Sequence, residues 1–440
     1  MRTSIEQLEK NSATFDNQES KWRQEKFSPV KVLQEKFFPA INDAYQNYLQ
    51  TGTVRSVYSS FFAVDEDAMK KISNCSCAEV TLREKVDPAR LQAAVNKAVE
   101  VCPYAAFDIS KRDGIVYFHK NNLPVLVGDF KKLGTAENNH HYVTVSYDEF
   151  KITLRVSHIL TDGFGMVCFL QAVTDFYFDK EKTLYEGADK FDFVADLMSQ
   201  DLPLPDGYTP KSYAVENHFV PPEINSANAD KKYENVIEIP AKKFRAFCKK
   251  YRISAQIAVS ILLAKAIQNA HPDNDKIISV RGPVNTRAPL RVPNTFQNAS
   301  IPHIFLNFEP SWLKDEISAE ALKNIKTDFS DQCSYENLAA FTNEIKKFFF
   351  IKNADERAKI GKAYKRQTDI IANYMGKMLA DDTAEKIESY KQIFPVSYPL
   401  MMYASQYGDK IILHMLQQFE NLIYFESFLK ILEQSDLISE

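Results

Sequence analysis

The sequence feature that most constrains this chain is the run from Arg155 to Gly165, RVSHILTDGFG. It holds His158, Asp162 and Gly163 at fixed offsets, with a strand-like pattern upstream and a helix-like pattern downstream. The chain has eight histidines, and chance would place an Asp-Gly pair at this offset in only about one of a hundred such sequences. We therefore interpret the three residues as one functional unit.

Two alternating runs precede the histidine. Residues 142–147 and 150–157 place apolar side chains at every second position, and an acidic dipeptide separates them. This pattern predicts a β-hairpin with His158 at the end of its second strand. Apolar residues then recur at helical spacing, which predicts a helix that begins near Gly163. Asp162 falls at or next to the helix N-cap, where a carboxylate accepts backbone N–H groups.

This layout suits an imidazole that acts as a general base at the mouth of a cleft. His158 must leave the strand and turn its ring toward the cleft, while Asp162 points back and anchors the turn through a buried cation or backbone donors. Gly163 would let the backbone turn tightly and bring its N–H near a ligand. The alternative for each residue alone is structural: a partly exposed polar histidine at a strand end, and an aspartate that only caps a helix.

The motif HILTDG matches the HxxxDG signature of the chloramphenicol acetyltransferase-like acyltransferases, a superfamily that includes condensation domains of nonribosomal peptide synthesis. The longer stretch VSHILTDGFGMVCFLQAVTDFYF most resembles the corresponding segment of the alcohol acetyltransferases. Four further stretches are similar to family segments in the same order: Ala78–Ile109, Asp113–Val127, Ile278–Phe305 and Gly408–Gln434. The resemblance thus covers residues 78–440.

This resemblance implies both a fold and an activity. The fold would be of the α/β class, a two-lobed chloramphenicol acetyltransferase-like sandwich in which each lobe is a mixed β-sheet flanked by helices. An active-site tunnel would run between the lobes, with His158 near its middle as general base. An acyl group would pass from a thioester donor, acyl-CoA, to a small-molecule alcohol or amine acceptor. Acyl-CoA would be a co-substrate, and no bound cofactor is implied.

The chain divides into four segments by composition and by the resemblance. We predict an N-terminal helical extension over 1–50, an N-terminal lobe carrying the motif over 51–200, and a proline-rich linker over 201–230. A C-terminal lobe follows over 231–440. Within that lobe, the charged stretch from Lys314 to Tyr390 is predicted to be mostly helical.

The resemblance also implies supporting residues in the second half of the chain. An arginine there, Arg287, would pair with Asp162 and join the two lobes, and Asn285 would help to order the same loop. The alternative for Arg287 is a surface residue in a loop. Asn298 and Ser300 are candidate donors to the tetrahedral oxyanion. Their alternative role, which we favour, is to satisfy local backbone groups at a strand start.

Departures from the family patterns keep two other functions open. Ser157 stands where condensation domains usually carry a second histidine, which argues against a carrier-protein thioester as donor. The DFGWG motif of the plant enzymes is absent, and Phe394–Lys410 occupies the place of the late SNxG segment without matching it. The alternatives are a non-catalytic binding protein that keeps the fold, and a free-standing condensation enzyme that uses a carrier protein.

Composition excludes several other classes. The net charge of −4 suggests no nucleic-acid role. No apolar stretch approaches the roughly 20 residues of a membrane span, and the N-terminus lacks the apolar core of a signal peptide, so we expect a cytoplasmic location. The six cysteines are scattered, and Cys75-Ser76-Cys77 has no matching Cys/His pair at zinc spacing. We therefore predict no metal site.

Overall fold

The structure is a computed structural model that describes residues 53–56, 70, 75–112, 115–183, 202–228, 231–290, 296, 303–349, 369–393 and 398–438. The N-terminal extension predicted over 1–50 lies outside the described residues. So do Asn298 and Ser300.

A four-stranded sheet forms the core of the first half. Its strands are β2 (Cys75–Leu82), β5 (Val143–Tyr147), β6 (Lys151–Ser157) and β11 (Ile387–Ile393), in the order β11-β2-β6-β5. The predicted hairpin is confirmed, because β5 and β6 pair antiparallel on either side of the acidic turn. All four strands pair antiparallel, and within the described residues one isolated parallel bridge joins Val145 of β5 to Val127, which lies outside the strands.

A six-stranded mixed sheet organises the second half. Its strands are β7 (Tyr233–Pro240), β8 (Ile278–Pro283), β9 (His303–Phe308), β10 (Ile370–Lys377), β12 (Leu400–Tyr407) and β13 (Lys410–Gln417). Their order in the sheet is β7-β13-β12-β10-β8-β9, and β10 runs parallel to both of its neighbours. A smaller antiparallel sheet consists of β1 (Thr53–Ser56), β4 (Ile115–Lys120) and β3 (Phe107–Arg112), and its β3 and β4 strands pack in the core of the four-stranded sheet.

Helices cover the sheets and close two hydrophobic cores. In the described residues they are α1 (Pro88–Val101), α2 (Gly163–Tyr177), α3 (Ala241–Tyr251), α4 (Ala255–Ala270), α5 (Pro310–Lys314), α6 (Ala319–Gln332), α7 (Tyr335–Phe349), α8 (Asp381–Ala384) and α9 (Ile423–Gln434). Short 3-10 helices span Pro103–Ala106, Ala136–Asn138 and Pro222–Ser226. The α1 and α2 helices pack in one core with the four-stranded sheet, and α3, α4 and α9 pack in the other with the six-stranded sheet.

The prediction that Lys314–Tyr390 is mostly helical is wrong for its last part. Ile370–Lys377 forms β10, and Ile387–Ile393 forms β11. The first of these strands begins with consecutive buried residues, so it lacks the alternation that reveals a half-buried strand. The second returns to pair with β2 in the four-stranded sheet. Segment 231–440 therefore contributes a strand to the first half, and the predicted boundary does not separate the two sheets completely.

The segment predicted as a linker is anchored along the second half. It contains little regular structure apart from Pro222–Ser226. Asn343 holds Leu202 through both of its backbone groups, at 2.7 and 2.9 Å. Further along, the Phe219 N–H donates to the Ile277 carbonyl at 2.8 Å.

Within the described parts of the chain, no single helix has the length and apolarity needed to cross a membrane; α3 and α4 meet that test only as a pair bent by 91°.

A buried polar network joins α2 to α8. The Thr383 hydroxyl donates to Asp175 Oδ1 at 2.7 Å and accepts hydrogen bonds from Gln171 Nε2 at 2.9 Å and Lys180 Nζ at 2.8 Å. Gln171 Oε1 also accepts the Ala380 N–H at 2.8 Å. Because α8 leads directly into β11, this network fixes the point at which the second half enters the first sheet.

Replacing Thr383 with valine should lower the free energy of unfolding by about 1–3 kcal/mol, because buried Asp175 then loses a hydrogen-bond donor. Thr383→Ser keeps the hydroxyl and should lose clearly less. Urea unfolding followed by circular dichroism measures both. Equal losses for the valine and serine variants would show that the Thr383 hydroxyl contributes no stability.

Candidate active site

His158 follows directly after the last residue of β6, and its ring is exposed to solvent. Its Nδ1 lies 2.9 Å from the carbonyl oxygen of Thr161. A carbonyl oxygen can only accept, so Nδ1 must carry the proton in this hydrogen bond. The neutral ring therefore holds its lone pair on Nε2, which is the arrangement a base requires.

Asp162 is the N-cap of α2, as predicted. Its backbone is extended, and its Oδ1 accepts the Gly165 N–H at 2.8 Å. The helix begins at Gly163, where the apolar periodicity places its start. The Asp162 side chain is only 2% exposed, so this carboxylate is buried.

Arg287 makes a two-point contact with this carboxylate. Its Nη1 lies 2.9 Å from Asp162 Oδ2, and its Nη2 lies 3.0 Å from Oδ1. Asn285 Oδ1 accepts from Arg287 Nη1 at 3.0 Å and from the Arg287 backbone N–H at 3.2 Å, and the guanidinium lies 4.8 Å from the centre of the Phe164 ring. The pairing predicted for Asp162 and Arg287 is thus present, with Asn285 ordering the same loop. It ties the loop after β6 to the loop after β8.

The conformational reason predicted for Gly163 is wrong. Its φ lies outside the left-handed region, so a side chain would not strain the backbone there. What a Cβ atom would meet is the end of the Met375 side chain, closer than 3.0 Å. The end of a methionine side chain can shift, so this contact with β10 disfavours a side chain at Gly163 without excluding one.

Gly165 is the glycine whose lack of a side chain matters most, and our sequence reasoning missed it. A Cβ at this position would come closer than 3.0 Å to the Phe296 carbonyl oxygen and to the Thr161 hydroxyl. A backbone carbonyl cannot move aside as a flexible side chain can. The repeated glycine in DGFG was the available signal.

Thr161 and Phe296 form a second contact between the halves. The buried Thr161 hydroxyl lies within hydrogen-bond distance of the Phe296 carbonyl and is 3.2 Å from the Asp162 carbonyl. The Phe296 ring packs edge-on against Phe169 of α2, with 5.6 Å between ring centres. No local sequence pattern indicates this contact, because the two residues are 135 positions apart.

An apolar patch on the six-stranded sheet reaches the motif loop through Met375. The patch consists of Ile371, Met401 and Leu416, with Met375, Tyr398 and Tyr403 packed around them. Burial raises the pKa of the Tyr403 phenol, so this hydroxyl stays neutral. Since Met375 belongs to the patch and also contacts the Gly163 position, apolar surface from the second half lies close to the motif loop.

No group of three or more His, Cys, Asp or Glu side chains that could hold a metal ion occurs in the described part of the chain. Cys75 and Cys77 are both buried, and burial raises the pKa of the Cys75 thiol to about 12 and that of Cys77 to about 11. Both thiols are therefore protonated near neutral pH.

The proposed oxyanion roles of Asn298 and Ser300 stay predictions, since both residues lie outside the described residues.

Solved structures resemble this fold over nearly its whole length. The TRI3 trichothecene 15-O-acetyltransferase of Fusarium sporotrichioides matches 86% of this chain and 94% of its own, with a TM-score of 0.55 and 12% sequence identity. The chain has the two-lobed fold of the chloramphenicol acetyltransferase-like acyltransferases and condensation domains. The fold class predicted from the motif is thereby confirmed.

Two further structures belong to the same comparison. TRI101 of F. sporotrichioides, solved with coenzyme A and T-2, matches 86% of this chain and 97% of its own, with a TM-score of 0.58 and 11% identity. The condensation domain from the monacolin K polyketide synthase MokA matches 87% and 97%, with a TM-score of 0.55 and 11% identity. No family model matches the chain, and no curated protein matches it in sequence. At these identities the likeness is one of fold.

Replacing Asp162 with alanine should lower the free energy of unfolding by about 3–5 kcal/mol, because it leaves the buried Arg287 guanidinium without its carboxylate. Chemical denaturation of the purified variant measures this loss. Asp87→Ala is the matched control: Asp87 caps α1 in the same way but is exposed, so its loss should be about 1 kcal/mol. If the two variants lose equal stability, the pair with Arg287 contributes nothing beyond the cap.

Proposed function

We propose that this protein is an acyltransferase that moves an acyl group from a thioester donor, acyl-CoA, to an alcohol or amine acceptor, with His158 as general base. The observation that carries the proposal is the hydrogen bond from His158 Nδ1 to the Thr161 carbonyl. It leaves the lone pair of an exposed imidazole on Nε2, at the end of a loop held by a buried ion pair.

The reaction needs no covalent enzyme intermediate. His158 Nε2 takes the proton from the acceptor hydroxyl or amine as that group attacks the thioester carbonyl. The tetrahedral intermediate then collapses, the carbon–sulfur bond breaks, and the same nitrogen returns the proton to the leaving thiolate. A positioned base of this kind accelerates a reaction by about 10²–10⁴-fold.

Asp162 and Gly163 have separate roles in this proposal. Both oxygens of Asp162 accept hydrogen bonds from Arg287, so the carboxylate positions the loop and transfers no proton. Gly163 is the first residue of α2, and its N–H is one of the backbone groups that a helix leaves unpaired at its N-terminus. We assign this N–H to the oxyanion, where one such donor typically contributes a few kcal/mol.

Two observations support acyl-CoA as the donor. TRI101, which shares the fold, was solved with coenzyme A. Ser157 occupies the position of the additional histidine of condensation domains, and it is buried, with its N–H donating to the Tyr142 carbonyl at 2.9 Å. The MokA condensation domain favours a second candidate, transfer from a carrier-protein thioester. A requirement for a phosphopantetheinyl carrier would establish that second candidate.

Replacing His158 with alanine should lower the rate of transfer by at least about 10²-fold, because the attacking group loses its proposed proton acceptor. The thermal unfolding midpoint should change little, since the ring is exposed. A panel of acyl-CoA donors and alcohol or amine acceptors, read by free thiol release, measures the rate.

His218→Ala is the matched control, because His218 Nδ1 is also within hydrogen-bond distance of a backbone carbonyl oxygen, that of Val215, at 2.8 Å. It should keep wild-type turnover. Wild-type turnover in the His158 variant would overturn the catalytic assignment. Absence of transfer by the wild-type protein across the whole panel, together with saturable acyl-CoA binding, would instead establish a non-catalytic binding protein.

A further inference from the structure

Thr161 contacts both His158 and the second half of the chain. Its carbonyl accepts the hydrogen bond from His158 Nδ1 at 2.9 Å. Its hydroxyl reaches the Phe296 carbonyl, which belongs to the segment between β8 and β9. Its side chain is completely buried. One residue therefore links the orientation of the imidazole to a contact with the other half.

We propose that Thr161 is a positioning residue, whose hydroxyl bond to Phe296 holds His158 in the Nδ1–H tautomer. The inference rests on the proposed function in so far as His158 is the base. The bond to Phe296 fixes the position of Thr161, and the carbonyl of Thr161 sets which ring nitrogen carries the proton.

The peptide group that joins Thr161 to Asp162 is constrained at both ends. On one side, the Thr161 hydroxyl is bound to Phe296. On the other side, the Asp162 carboxylate is bound to Arg287 and to the Gly165 N–H. These buried contacts fix the positions of the two residues between which the peptide group lies. Without the hydroxyl bond, the Thr161 end of the peptide is held less firmly, and its carbonyl can move away from the imidazole.

The consequence for the imidazole is chemical. If the carbonyl turned away, Nδ1 would lose its acceptor, and the proton could reside on either ring nitrogen. Molecules with the proton on Nε2 cannot accept a proton there from an acceptor substrate. The rate would fall with the population of the productive tautomer, whereas binding of the thioester need not change.

Gly165 makes the contact possible. A Cβ at this position would come closer than 3.0 Å to both the Phe296 carbonyl and the Thr161 hydroxyl. The small residue therefore opens the space in which the two halves meet. It also supplies a second way to disturb the same bond without altering Thr161.

The direct test is the ¹⁵N chemical shifts of the His158 ring in the full-length labelled protein, at a pH where the ring is neutral. The wild-type protein should show one nitrogen protonated, Nδ1. Thr161→Val, which keeps the shape and loses the hydroxyl, should show a mixture of tautomers, and Thr161→Ser should keep the wild-type pattern. Thr174→Val is the matched control, because among the described residues the buried Thr174 hydroxyl bonds within α2, to the carbonyls of Leu170 and Gln171.

Several outcomes would overturn the proposal. An Nε2–H tautomer in the wild-type protein would do so without any variant, and so would an unchanged Nδ1–H pattern in Thr161→Val. If Thr161→Val does not fold, Gly165→Ala displaces the same bond, and an unchanged tautomer in that variant would be equally decisive.

Activity supplies the second readout. We expect Thr161→Val to lower kcat at least fivefold with KM unchanged, and Thr161→Ser to restore it. A merely structural role would lower the yield of folded protein and the melting temperature, with kcat per folded molecule intact. If the wild-type protein shows no transfer at all while the tautomer still responds to Thr161→Val, the proposed function fails and the positioning role stands.

Discussion

The buried pair formed by Asp162 and Arg287 is the interaction on which the rest of the site depends. The two side chains are 2% and 1% exposed. A carboxylate or a guanidinium buried to this degree is costly without its partner, so the loop after β6 and the loop after β8 can be buried only together. The same carboxylate caps α2 through the Gly165 N–H. One charge pair therefore joins the two halves of the chain, and its carboxylate also caps the helix that follows His158.

The chemistry of the loop follows from this pairing. Because Arg287 occupies both oxygens of Asp162, the aspartate is unsuited to proton transfer and serves as a support. The residue before it presents its carbonyl to His158, which places the lone pair of the imidazole on Nε2. In the proposed reaction, neighbouring residues of one short loop therefore have separate roles: Asp162 anchors the loop, Thr161 orients the ring and His158 takes the proton. The glycines that follow admit Met375 and Phe296 from the second half.

The local elements of the site could be predicted from the sequence, and the long-range ones could not. The hairpin follows from apolar residues at every second position, and the start of α2 follows from apolar residues at a spacing of 3.6. The cap follows from Asp162, which directly precedes that helix. The pairing with Arg287 was accessible only through the family resemblance, because no spacing links positions 125 residues apart. The strand at Ile387–Ile393 and the contact between Thr161 and Phe296 depend on how distant segments meet. The sequence alone also could not show which of Gly163 and Gly165 is indispensable, because that depends on the distant residues that each one contacts.

A crystal structure with a non-hydrolysable acyl-CoA analogue and an acceptor selected by thiol release would show most directly whether His158 is placed to act as the base. We expect the acceptor hydroxyl or amine to lie about 2.6–3.2 Å from His158 Nε2, next to the thioester carbonyl and between the two sheets. An acceptor bound away from this nitrogen, or an imidazole whose Nε2 is hydrogen-bonded to the protein in the ternary complex, would contradict it.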